Sequence, residues 1–203
     1  MSDAKSYISQ YLTMLTDTLS MVNAKEVAKT IEILATAREG GGKIFICGNG
    51  GSAATASHFA CDLAKGTMEY GNKPFKVIPL TDNVPLITAW ANDSDYSKIF
   101  AMQLEPLVDD GDVVIGISGS GNSPNVVNAI EAGNLHGAVT IGLVGFDGGS
   151  IKRVAGHSVH VVSFNMQQVE DVHMILVHLI ASALRDELLV IERQQLLSMD
   201  AEL

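Results

Sequence analysis

From residue 43 onward the chain alternates between two hydrophobic periods, and this alternation restricts its fold more than any other feature. Short, nearly continuous apolar runs stand at 43–47, 75–80, 112–117, 138–144 and 158–163. Stretches with helical spacing separate them, beginning near 52, 83, 97, 123 and 148. A strand with one wet face alternates apolar and polar residues, whereas a strand covered on both faces is apolar throughout. Covered strands joined by helices imply an α/β fold: a three-layer sandwich around a central five-stranded parallel sheet.

The chain ahead of the first strand reads differently. Tyr7, Tyr11, Leu12, Leu15 and Leu19, then Val27, Ile31 and Leu34, recur at helical spacing. Asn23 and Ala24 break this pattern, and Gly40, Gly41 and Gly42 end it. The expected layout is an N-terminal helical arm over 1–40 that serves oligomerisation, followed by one structural unit over 41–195. The arm has little of its own to pack against, which points to partner subunits. A long amphipathic helix is expected over 167–190.

Composition removes several function classes. An apolar fraction of 47% over 203 residues suffices for one sizeable core. No apolar run approaches the ~18 residues of a membrane span. The opening residues, MSDAKSYISQ, are acidic and polar where a signal peptide is apolar, so a cytoplasmic location is expected. The net charge of -10 and the lack of any basic run argue against a nucleic-acid partner. Two cysteines, Cys47 and Cys61, are too few for a disulfide framework and are expected as buried or near-buried thiols.

Two segments share one plan: KIFICGNGGSAATASHFA and DVVIGISGSGNSPNVVNA. Each is a buried strand, then Gly, Ser and Asn, then a helix, and AVTIGLVGFDGGSIKRVA repeats it more faintly. Helix N-termini present unpaired N–H groups and partial positive charge, glycine lets a ligand approach them, and serine adds a hydroxyl donor. In an open parallel sheet such loops lie at the carboxyl ends of the strands, where ligands bind. A phosphate suits this chemistry. Residues 48–53 formally fit the dinucleotide fingerprint, but that reading needs an acid at the end of a second strand, and Glu69 stands in a polar loop. The second loop, with Ser118, Ser120, Ser123 and Asn122, favours a single phosphate group.

A second group of residues carries proton chemistry. His58 and Asp62 are four apart on the helix after the first loop, so they share a face. Glu170 and His178 can both face one pocket from the last helix. Two histidines and two carboxylates can hold zinc or another divalent ion, or serve as acid and base. His173 is left outside this group, and His136, His157 and His160 are expected to be structural.

The segments CGNGGSA and GISGSGNSPNV, with AND at 91–93 and the GFDGG stretch at 145–149, resemble the sugar isomerase (SIS) domain family in order and over nearly the whole chain. The resemblance extends to the phosphoheptose isomerases, which interconvert sedoheptulose 7-phosphate and a manno-heptose 7-phosphate through an enediol. It implies that Asn49, Gly50, Gly51, Ser52, Ser118, Gly119, Ser120 and Ser123 bind the phosphate and that Asp93 lies near sugar hydroxyls. It implies zinc on His58, Asp62, Glu170 and His178, with Asp62 as base and His178 as acid. This chain carries Asp62 and Glu170 where the family pattern has Glu and Gln. The resemblance further implies a homotetramer with sites between subunits. A non-catalytic relative that binds a protein partner, the DnaA-binding initiation regulator, is the alternative, because LTDNVPLITAWAND at 80–93 resembles it. That regulator lacks the last histidine of the site, whereas this chain has His178.

Overall fold

The five strands form, and all pair in parallel. A computed structural model describes residues 3–68 and 73–200, with side chains to 186. The strands are β1 (Lys43–Gly48), β2 (Lys76–Pro79), β3 (Val113–Ser118), β4 (Val139–Val144) and β5 (His157–His160), in the order β2-β1-β3-β4-β5. Ile46 of β1 is opposite Ile115 of β3, which is opposite Ile141 of β4. The outer strands are shorter than the apolar runs suggested. β2 begins at Lys76 and β5 ends at His160, although Phe75 and Val161 remain buried beyond them. Glu69 lies outside the described residues.

Both faces are covered, which is why the strands read as continuous. Ile44, Ile46, Ile115, Ile117, Ile141 and Leu143 form one core with α2 (Ala24–Gly40), α3 (Gly51–Cys61) and α8 (Met166–Asp200). Phe45, Cys47, Val114 and Val144 turn to the other face, under α5 (Ala101–Leu104), α6 (Pro124–Leu135) and α7 (Gly149–Val154). Trp90 of α4 (Val84–Asp93) packs at the edge of that second core. Close packing explains the strand glycines: a Cβ on Gly116 would stand 2.7 Å from Val126 Cγ1. Among the described residues, no helix is long and apolar enough to cross a membrane.

The helical arm divides into two parts with different surroundings. Val27, Leu34 and Ala37 place α2 in the main core. The preceding helix, α1 (Ala4–Ser20), lies against α8, where Tyr11 Oη donates to Asp171 Oδ2 at 2.5 Å. Tyr7, Ile8, Leu12 and Met14 of α1 remain exposed. Asn23 caps α2, and Gly41 closes it, as the break signals indicated. Cys47 is buried, but Cys61 is exposed because it lies on the solvent side of α3.

Two of the histidines outside the site, His157 and His160, have hydrogen-bonding partners. His157 Nε2 lies 2.8 Å from the Glu26 carbonyl, and His160 Nδ1 lies 2.9 Å from Lys152 Nζ. His136 follows α6 at the surface. His173 differs: it is 1% exposed, and neither ring nitrogen makes a hydrogen bond. Burial pushes its pKa down to about 4, against a weaker opposing pull from the Val144 backbone, which lies outside hydrogen-bond geometry. The unfolded chain therefore takes up this proton first, and stability falls as pH drops from the usual histidine range towards about 4. Between pH 7 and pH 5 this group should remove about 2 kcal/mol of stability. Urea unfolding at the two pH values should show that loss in the native chain and a much smaller one in His173→Leu. Equal losses in both would contradict the assignment.

Candidate active site

The strand order reverses between β1 and β3, and a crevice opens at their carboxyl ends. The two glycine-serine loops meet there. In the first, Gly50 has φ 55° and precedes α3 without a side-chain cap, so no protein side chain caps the first amides of that helix. Ser52 sits in the first turn and is buried. In the second, Ser118 Oγ lies 2.9 Å from Ser123 Oγ and 3.5 Å from Ser120 Oγ. Ser123 stands at the N-cap of α6 yet makes no capping bond, so its hydroxyl serves the crevice instead of its own helix. Asn49, Ser52, Ser118, Ser120, Ser123 and Glu170 line a cavity of about 110 Å³, and Gly119 and Met166 contribute to its wall.

Other residues hold the two loops in register. Asn49 and Asn125 exchange reciprocal amide hydrogen bonds of 2.8 Å, and Tyr96 Oη donates to Asn49 Oδ1 at 3.1 Å. Asn122 Oδ1 accepts from the Ser150 backbone at 2.9 Å, which anchors the second loop to α7. The faint third loop, 145–149, is a support and not a second cradle: Ile151 N donates to the Gly121 carbonyl at 2.9 Å. Asn125 and Tyr96 are site residues that sequence reasoning missed. Asn125 carried a usable signal, standing two residues after Ser123 in the same motif. Tyr96 carried none.

The carboxylate and histidine group assembles in part. α3 passes at its end into a π-helical turn, Asp62–Gly66, a feature that concentrates at functional sites. Asp62 Oδ2 lies 3.3 Å from His58 Nε2 and 3.9 Å from His178 Nε2, and the two Nε2 atoms are 2.7 Å apart. Asp93, the last residue of α4, accepts from Asn92 at 2.8 Å and lies outside both the serine cavity and the histidine cluster.

Glu170 does not join the three. Its carboxylate lies against the backbone of Gly51, where an added Cβ would be 2.7 Å from both oxygens. The carboxylate thus occupies the positive end of α3 and faces the cavity that suits a phosphate. Two anions in one cradle repel. Glu170→Gln, which keeps the shape and removes the charge, should tighten inorganic phosphate binding about tenfold at neutral pH. Calorimetric titration reads this directly, and unchanged affinity would show that the carboxylate does not act on the bound anion.

The donor set of the cluster suits zinc. It offers two imidazole nitrogens and one carboxylate oxygen within 4.8 Å of one another. Ligand atoms around tetrahedral zinc stand about 3.3 Å apart, and the three observed spacings bracket that value. Three ligands leave a position open, the pattern of catalytic and not structural zinc sites.

The SIS domain family matches residues 7–145. A phosphoheptose isomerase from Syntrophotalea carbinolica is 38% identical over 184 residues, covering 89% of this chain and 93% of that protein. Another, from Geobacter sulfurreducens, is 38% identical over 165 residues, covering 81% of this chain and 87% of that one. The solved phosphoheptose isomerase of Neisseria gonorrhoeae superposes with a TM-score of 0.84 at 26% identity, over 91% of this chain and all of the other. These relatives do not favour the reading as a non-catalytic partner-binding protein. Such identity over most of both chains, on one shared fold, makes this chain a member of the phosphoheptose isomerase family of SIS-domain proteins.

Proposed function

We propose that the protein interconverts sedoheptulose 7-phosphate and D-glycero-manno-heptose 7-phosphate through an enediol. The observation that carries this reading is the placement of an acid–base cluster further along the same helix as an anion cradle. Ser52 and His58 are six residues apart, about 9 Å along α3, and Asp62 lies one turn beyond. A sugar phosphate fixed by Asn49, Gly50, Gly51, Ser52, Ser118, Gly119, Ser120 and Ser123 brings its far carbons to that cluster. Asp62 takes the proton from the carbon beside the carbonyl, and His178 moves protons between the two oxygens. His58, Asp62 and His178 are the residues that would hold zinc, which when bound polarises a carbonyl as a Lewis acid. Asp62 presents Oδ2 to the imidazoles, which leaves its other oxygen for the substrate proton.

Residues 41–195 carry the sugar-phosphate site, and within residues 1–40, where α2 packs into the main core, α1 carries assembly into a tetramer in the cytoplasm. The exposed Tyr7, Ile8, Leu12 and Met14 support this assignment, because they form an apolar face on α1 that a second copy can cover. His58 and His178 are also about half-exposed in the single chain, as fits a site completed by a neighbour. Sedimentation velocity should give the mass of four chains, and a monomer would contradict the assembly. The function itself is tested by incubating the purified protein with sedoheptulose 7-phosphate and zinc. Aldose should form, stop on chelation and resume when zinc is returned. Absence of aldose under every metal condition would refute the proposal.

A further inference from the structure

Beyond the histidine cluster, on the side away from the serine cradle, lies a second cavity of about 150 Å³. Asp62, Gly66, His178, Ala181, Ser182 and Arg185 line it. The cavity thus shares Asp62 and His178 with the acid–base cluster. Helix geometry explains the grouping. Ser182 and Arg185 follow His178 by four and seven residues, so all three lie on one stripe of α8. On the facing wall Gly66 lies four residues after Asp62, and a Cβ there would meet nothing within 4 Å. Small residues leave the room, and one long cation reaches towards it.

The charge distribution along the crevice is uneven. The serine cavity is lined by hydroxyls, amides and Glu170 and contains no cationic side chain. Arg185 is the cation of the second cavity. Its Nε donates to the adjacent Asp186 at 3.3 Å, and both side chains are largely exposed, so that pair holds the guanidinium weakly. Arginine keeps its charge at every working pH and offers a fork of donors to paired oxygens.

Resting on the isomerase reading, we propose that Arg185 is a catalytic residue that binds the oxygens of the reacting end of the sugar. When Asp62 takes the proton, the C–H electron pair becomes the carbon–carbon double bond of the enediol. The carbonyl electrons move to oxygen, and that oxygen then receives a proton from His178. Negative charge builds on the oxygen in between, next to the cavity that holds Arg185. The guanidinium donates hydrogen bonds to it and remains protonated throughout. The cradle fixes one end of the substrate with neutral donors, and Arg185 answers the charge that appears at the other end.

The test uses the full-length, zinc-loaded protein with Arg185→Met and Arg185→Lys. The wild-type protein is assayed first with sedoheptulose 7-phosphate, and a wild type without turnover refutes the isomerase reading itself. Given an active wild type, Arg185→Met should lose about a hundredfold in kcat, the scale of one lost donor to a developing oxyanion. KM should change by less than about threefold, because the interaction belongs to the transition state. Inorganic phosphate should still bind and raise Tm as it does in the wild type. Arg185→Lys should recover part of the rate, and millimolar guanidinium should restore Arg185→Met in part. Wild-type kcat in Arg185→Met would overturn the proposal. A loss that neither lysine nor guanidinium relieves would also overturn it, since that marks a structural role.

Discussion

Asp62→Asn should lower kcat for the isomerisation about a thousandfold while leaving the fold and the phosphate cradle intact. The magnitude is that of removing a positioned general base. Asparagine keeps the size of the side chain but cannot accept the substrate proton. The cradle should not register the change, because Asp62 lies about 15 Å along the helix from Ser52. Two readouts separate the chemistry from simple damage. Calorimetric titration with inorganic phosphate should give an unchanged affinity. Zinc content after dialysis should fall, since the same carboxylate completes the His58–Asp62–His178 donor set. A variant that keeps more than about a tenth of the wild-type rate would remove Asp62 from the base role.

Gly121→Ala should have the largest effect on stability. Gly121 has φ 65°, in the left-handed region that costs an L residue about 1 kcal/mol or more. Worse, its Cβ would stand 2.1 Å from the Gly148 carbonyl oxygen, a backbone atom that cannot turn aside. The two loops must separate, and the bond from Ile151 N to the Gly121 carbonyl goes with them. Together these effects should cost about 3 kcal/mol or more, which lowers Tm by about 10 °C in a chain of this size. The damage falls on the loop that holds Ser118, Ser120 and Ser123 together, so phosphate should no longer raise Tm. An alanine variant with native Tm and native phosphate binding would mean that the two loops are not in contact.

Most of the architecture was legible because covered parallel strands leave a strong signal. Runs such as Ile44–Cys47 and Val113–Ile117 are apolar on both faces, and the glycine-serine loops mark where β1 and β3 turn into helices. Local spacing also brought out the His58–Asp62 pair, since four residues on a helix is one turn. What spacing could not convey was distance across the chain. His178 meets His58 although they stand 120 positions apart, and spacing within either helix cannot report that contact. Glu170 was grouped with them, yet its side chain turns towards Gly51, whose missing Cβ makes the room. The Asn49–Asn125 exchange and the Tyr96 hydroxyl lay beyond reach, because each joins loops that only the folded sheet brings together. Cys61 was misplaced because a small thiol in a helix pattern does not announce which face it takes.

The most direct test of the enediol account follows the substrate protons in heavy water. Sedoheptulose 7-phosphate is mixed with the zinc-loaded protein and observed by proton NMR. Aldose should appear with deuterium at C2, beside its new carbonyl, where the enediol formed by Asp62 is reprotonated from solvent, and no such labelling should occur with Asp62→Asn. Carbon-bound protons at C1 that stay unexchanged while phosphate still binds the serine cradle would contradict it.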